Sequence, residues 1–253
     1  MNNIGCFLKF SRRCYLERLQ DGHVFFTTAK RMREEEAKRQ EKGIGDSLEG
    51  GMILTDAPML LTDCYGRQTV VGPIKLVVEP LDNVPVFCVL ACNKADCVDV
   101  DSEHFVIKLP NEVRKWFEEH FSEYDAVAVI KAPNVFANDI VTALGPECIH
   151  RRIDYVNRDA SQKRETTSHP LNSLLNAALH QDKSKPNTWY GTIDDSMNLL
   201  LEKDLFFRQE REYRFIQPAL SLDSPKEFDV VMHSPVEIIS LDDLWNEKPL
   251  SKV

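Results

Sequence analysis

Hydrophobic positions along this chain recur with two periods, and the switches between them divide it into short elements. Ile4 to Phe10 is an apolar run with Lys9 near its end and reads as a first strand. Ser11 is placed to cap a helix whose Tyr15, Leu16 and Leu19 fall at helical spacing, and Asp21-Gly22 supplies a left-handed stop. His23 to Thr28 is a second strand, and the charged run Arg31 to Lys42 reads as a solvated helix of mixed-sign pairs. The glycine-rich Gly43 to Gly51 carries Asp46 and Glu49 and reads as a surface turn, or as a loop that contacts a ligand. Its spacing is not that of a phosphate loop.

Valine-rich strands are predicted over Thr69 to Val78 and Val84 to Cys92, the second apolar enough to need cover on both faces. A helix follows at Asn111 to Phe121, capped by Asn111, with Val113, Trp116, Phe117 and His120 along one face. Ala126 to Ile130 is a buried strand broken by Pro133, Val135 to Leu144 a helix closed by Gly145-Pro146, and Cys148 to Val156 a strand. The polar stretch Asn157 to Pro170, a short helix at Leu171 to Leu179 and the loop Gln181 to Asn187 together form an irregular insert over 157–187. A helix from Asp194 to Lys203, a late strand, strands at Glu227 to Met232 and Val236 to Leu241, and a fraying tail at 242–253 complete the chain. This pattern predicts a single α+β domain over 1–253: a twisted, mostly antiparallel mixed sheet with flanking helices.

Composition adds limits. With 43% hydrophobic and 28% charged residues over 253 positions, the chain can bury a core without staples. Its net charge of -9 argues against broad binding to nucleic acid or to an anionic membrane. Seven cysteines, an odd number with no CxxC pair, read as reduced thiols of a cytoplasmic protein. Cys88, Cys92 and Cys97 match no zinc spacing, so no metal is expected. No stretch reaches membrane-spanning length, and no leader is expected at the N-terminus. The seven histidines form no HExxH pair, and no nucleophile elbow occurs.

The chemistry gathers in Leu199 to Ile216. From Glu210 the side chains alternate, with Glu210, Glu212 and Arg214 on one side and Arg211, Tyr213 and Phe215 on the other. Such a row is either an exposed ion-pair ladder or the floor of a site.

Together, GCFLKF, YLERLQDGHVFFTTAKRMREEE, IGDSLEG, VPVFCVLA and FFRQEREYRF resemble, in this order, a group of uncharacterised bacterial and phage-associated proteins. The group is marked by a lysine-aromatic N-terminus and a late Glu-x-Glu-Tyr-Arg strand, and the resemblance implies a shared fold. A more distant resemblance is to arginine-modifying ADP-ribosyltransferases, which place a basic residue on an early strand, hydroxyls on the next and a Glu-x-Glu pair on a late one. Lys9 stands where their arginine would be, Phe26-Thr27-Thr28 at the hydroxyl strand with no leading serine, and Glu210-Arg211-Glu212 at the acidic pair.

That resemblance implies NAD as substrate. Glu212 would stabilise the positive charge that builds on the ribose, and Glu210 would act as general base. Lys9 or Arg214 would hold pyrophosphate, Thr27 and Thr28 would line the nicotinamide pocket, and Leu205 to Phe207 would exclude water. The acceptor would be a small molecule or a protein, in a bacterial or phage conflict system. Two other readings stay open: a non-catalytic binding or sensing module, and a metal-dependent nuclease using Asp46, Glu49 and a late-strand carboxylate. Convergence of Lys9, Thr27 and Glu212 on one cleft separates the first reading from the second.

Overall fold

A strand apolar on both faces belongs in the middle of a sheet, and Val86 to Cys92 lies there. The computed structural model describes residues 3–39, 46–55, 59–62, 65–71, 74–157 and 197–253. Its first half runs β1 (Ile4–Ser11), α1 (Arg13–Gln20), β2 (His23–Thr28), α2 (Ala29–Arg39), β3 (Gly51–Thr55), β4 (Met59–Thr62), β5 (Gln68–Val71), β6 (Ile74–Val77) and β7 (Pro85–Asn93). Next come β8 (Cys97–Asp99), β9 (His104–Ile107), α3 (Asn111–His120), β10 (Ala126–Ile130), α4 (Pro133–Leu144), β11 (Ile149–Arg152) and β12 (Asp154–Val156). The remainder is β13 (Glu202–Asp204), β14 (Glu212–Ile216), β15 (Lys226–Asp229), β16 (Val236–Ser240), α5 (Leu241–Trp245) and β17 (Leu250–Ser251).

The fold is α+β and mostly antiparallel. The main sheet has the order β11-β14-β7-β1-β10-β16, antiparallel at each of these pairings. β12 and β13 pair in parallel, and β17, β9 and β8 form a separate three-stranded sheet. Alternation along the central strands loads two faces. One carries Phe7, Phe87, Tyr213 and Phe215 against Leu16 and Leu19 of α1 and Phe136 of α4. The other carries Leu8, Leu90 and Val127 against Trp116 and Phe117 of α3 and Leu244 of α5.

The sheet forks at β7. β14 occupies one edge of β7 from Val86 to Leu90. On the opposite edge, β1 pairs with the distal half as far as Leu8↔Leu90, and β2 pairs only with the start, Thr27↔Val86 and Thr28↔Pro85. Beyond Leu8, β1 follows β10 instead. Phe87 to Val89 therefore face a gap between two diverging strands, and the site described below lies in that gap.

Local signals account for many of the ends. The stop at Asp21-Gly22 is as expected: Gly22 has φ +92, and a Cβ there would lie 2.4 Å from Val230 O. Gly22→Ala is expected to destabilise by more than about 1 kcal/mol through backbone strain and that clash, read as a lowered urea midpoint. Pro133 does not merely break a strand; it sits in the first turn of α4, where its missing N–H costs nothing.

Other ends depart from expectation, and at Arg13, Ile153 and Leu250 distant partners replaced local ones. Ser11 stays in β1 and does not cap α1; Arg13 N donates instead to Asp125 Oδ1 at 2.7 Å. Asn111 is the first residue of α3, after Pro110, rather than its cap. The strand expected over Cys148 to Val156 breaks at buried Ile153, whose N–H donates to Glu212 O at 3.2 Å. Thr69 to Val78 forms two strands, β5 and β6. No helix reaches Lys203: a 3-10 turn at Asn198–Leu200 gives way to β13, and 194–196 lie outside the described residues. The tail is held, not frayed. Ser240 caps α5, and Leu250, 1% exposed, pairs with Phe105 in β9. Residues 158–187 of the insert expected over 157–187, and the start of the glycine-rich segment at 43–45, also lie outside the described residues.

Candidate functional site

The fork opens into a cleft of about 1140 Å³, and Lys9, Thr27, Cys88, Lys203, Glu210 and Glu212 are among the residues on its walls. Lys9 reaches into the space that β1 vacates. Its Nζ donates to Cys88 O at 2.8 Å and lies 5.0 Å from the centre of the Phe87 ring. Burial lowers its pKa, against the opposing pull of Cys88, Glu212 and Glu210.

A chain of charges runs inward from the cleft. Arg214 lies opposite Cys88 on β14 and is fully buried. Its Nε donates to Glu212 Oε1 at 2.6 Å, its Nη2 to Glu49 Oε2 at 2.8 Å, and its Nη1 to Leu200 O at 2.5 Å and also to Glu49 Oε1. Lys203 Nζ donates to Glu210 Oε2 at 2.5 Å and to Glu212 Oε2 at 3.2 Å, over the Phe207 ring at 4.4 Å.

Glu210 and Glu212 reach Lys203 from different backbone settings. Glu210 ends a 3-10 turn, Leu205–Glu210, and Arg211 follows in the left-handed region at φ 45 before β14 begins. The expected alternating row therefore starts at Glu212 rather than Glu210. A left-handed non-glycine residue costs roughly 1–2 kcal/mol. Contacts around the bend hold it: Arg211 Nη1 donates to Asp96 Oδ2 at 2.8 Å, and Glu212 N to the Tyr155 hydroxyl at 2.8 Å.

Environment pushes the two carboxyls apart. Burial opposes ionisation of Glu212, but Arg214 and Lys203 overcome it and hold its pKa well below the carboxylate range. Glu210 has Lys203 alone and the Glu212 charge beside it, so burial pushes it up to about 7. Burial and the Glu212 charge keep Cys88 a thiol. One acid fixed as an anion beside another that exchanges a proton near neutrality is the division of labour found at acid-base sites.

The structure brings four of the expected residues, Lys9, Thr27, Glu210 and Glu212, to one cleft and leaves two out. Thr28 Oγ1 accepts from Arg31 N at 3.3 Å and caps α2, so it does not line the nicotinamide pocket expected of it. Thr28→Ala is expected to cost about 1 kcal/mol in urea melts and to leave ligand affinity at the cleft unchanged. Arg214 is not placed to hold pyrophosphate, because its Nε, Nη1 and Nη2 are all engaged inside the protein. An exposed ion-pair ladder is likewise overturned: Arg214 is 0% and Glu212 5% exposed. Of the expected water-excluding run, Phe207 is buried beneath Lys203, whereas Leu205 and Phe206 are exposed.

The surface turn expected around Asp46 and Glu49 is wrong, as both are buried and both line the cleft. Gly50, at φ +62 and packed against Leu200, Leu81 and Ala29, is the signal that the chain approaches the core there. Glu49 gives both oxygens to Arg214, which leaves the nuclease reading without one of its carboxylates. Lys203 and Tyr155 were not singled out, since nothing in their spacing marks them, and Cys88 entered only as a metal-ligand candidate beside Cys92 and Cys97.

Among the described residues, no group of three or more His, Cys, Asp and Glu side chains is arranged to hold a metal, and no helix is long and apolar enough to cross a membrane. No protein-family model, curated protein or solved structure matches this chain.

Proposed function

We propose that the cleft binds a nicotinamide dinucleotide and breaks its nicotinamide–ribose bond, passing the ADP-ribosyl group to water or to a protein acceptor. One observation carries the reading: Glu210, poised near neutrality, and Glu212, held ionised, share Lys203 in a cleft that also holds Lys9. As the bond breaks, its electron pair goes to the nicotinamide nitrogen and the ribose carbon becomes cationic. Glu212, pinned by Arg214 and Lys203, supplies a preorganised negative charge beside that cation. Glu210 takes the proton of the attacking hydroxyl as the new carbon–oxygen bond forms. Lys9 pairs with the pyrophosphate, and Thr27 contacts the nicotinamide end. A cytoplasmic role in a bacterial or phage conflict system accords with this activity.

The test is nicotinamide release from the dinucleotide by purified protein, followed chromatographically with water and with candidate protein acceptors. Release that disappears in Glu210→Gln is expected. Its absence across all acceptors would defeat the proposal. A second reading, a nucleotide-binding module without turnover, is favoured by Glu212, whose two oxygens are already occupied by protein donors. Such a module would bind ADP-ribose and the intact dinucleotide alike and consume neither.

A further inference from the structure

Beside the cleft lies a second, smaller cavity of about 190 Å³, lined by Phe10, Phe117, Phe121, Tyr124, Leu241 and Trp245. Phe10, Phe117, Phe121 and Tyr124 line the large cleft as well, so the two spaces adjoin. The rings run in near-parallel pairs. Phe10 and Phe117 stack at 4.0 Å between centroids, and Phe121 and Tyr124 at 5.1 Å. Phe10 and Trp245 lie 22° from parallel with centroids 6.0 Å apart, and both border the cavity. The volume suits one fused ring system and is too small for a whole nucleotide.

Charge selects further. Glu118, on the cavity wall, is bound by Arg114 Nε at 2.7 Å, and the same guanidinium lies 5.7 Å from the Trp245 ring. The acid is thus neutralised within the protein, which favours a neutral, flat, π-faced ligand over a cation or a phosphate. Flat aromatic walls suit a nucleobase, because each base offers a π face. Phe10, Phe117 and Tyr124 of the cavity wall also lie on the wall of the large cleft, together with Lys203 and Glu210. Exposed Arg12 and half-buried Lys9 line the large cleft where a sugar and phosphates leaving the cavity would run.

We infer that the aromatic cavity is the seat of the adenine ring of the dinucleotide, stacked on Trp245, and that it sets the preference for a dinucleotide over nicotinamide mononucleotide. The inference rests on the nucleotide reading of the cleft, but its test needs no bond cleavage. Calorimetric titration would measure ADP and, separately, nicotinamide mononucleotide against wild type, Trp245→Ala and Trp245→Phe, with thermal melts to show that the variants fold. Trp245→Ala is expected to weaken ADP about fivefold or more, the loss of one base stack. Trp245→Phe should keep most of the affinity, and the mononucleotide should be indifferent to both changes. No ADP binding to wild type, no effect of Trp245→Ala, or equal weakening of both ligands would overturn the assignment. The expected pattern in a protein that releases no nicotinamide would sink the reaction and leave the base site standing. Nicotinamide release with ADP binding indifferent to Trp245 would do the reverse.

Discussion

Arg214→Met is expected to lower the stability of the fold by about 3–5 kcal/mol, the cost of removing one partner from a buried ionic group. Methionine has a suitable shape, so the loss comes from the charges left behind. Arg214 supplies the only cation in contact with Glu49 among the described ion pairs, and Glu49 is 0% exposed. Glu212 would keep Lys203, but at 3.2 Å and shared with Glu210. Urea denaturation near pH 7 measures the loss.

The sign of its pH dependence follows from the same picture. Burial already raises the folded-state pKa of Glu49 against the pull of Arg214; without the guanidinium it raises Glu49 further and lifts Glu212 as well, above the unfolded value of about 4.3. Folded protein then binds more protons than unfolded, so the variant is least impaired below that value and loses stability as pH rises through the raised pKa. Adding Glu49→Gln and Glu212→Gln to Arg214→Met should recover most of the loss, since no charge is then buried alone. A deficit under 1 kcal/mol for Arg214→Met alone would mean that these groups are not buried together.

Glu210→Gln is expected to lower kcat for nicotinamide release by about 10²–10⁴-fold, the usual contribution of a positioned general base, with a smaller effect on KM. A base must be ionised to act, and Glu210 is pushed up to about 7. Wild-type turnover should therefore rise with pH through about 7 and level off, while the residual turnover of the variant stays flat. Stability should move the other way. Because the folded pKa of Glu210 lies above its unfolded value, its favourable contribution is complete below about 4.3 and is lost as pH rises through about 7. The difference in stability between wild type and Glu210→Gln should shrink or change sign across that window. A rate profile with no inflection near pH 7, or a variant with undiminished turnover, would remove Glu210 from the chemistry.

How much of this was legible in advance depends on how far apart the interacting residues are. The bounds of β2, His23–Thr28, agree with the pattern, because a left-handed glycine starts the element and alternation carries it. The cover over Val86 to Cys92 was evident too, since only a central strand can bury side chains on both faces. Ser11 and the tail misled for a common reason. Each was read against its sequence neighbours, whereas Asp125 and Phe105, distant in the chain, supply the contact at Arg13 and Leu250.

The site shows the same division. Lys9, Thr27, Glu210 and Glu212 were chosen by residue type and order, and all four line one cleft. Lys203 was passed over, and Glu49 was read as a turn residue, a ligand contact or a metal ligand rather than as the partner of Arg214, although the two complete the charge chain. A carboxylate in a glycine-rich loop and a lysine at the end of an apparent helix both look like surface residues when only local pattern is read.

By itself, then, the sequence determined the α+β class and the kind and order of the elements that build the main sheet and its flanking helices, since periodicity and turn chemistry act over a few residues. Tertiary structure alone decided that β1 and β2 part along one edge of β7, and that five charged side chains gather behind the gap. Burying a charge is unfavourable unless a partner of opposite sign is brought to it. Those partners are Glu49 and Arg214, separated by 165 residues, and no local pattern reports a pairing at that distance.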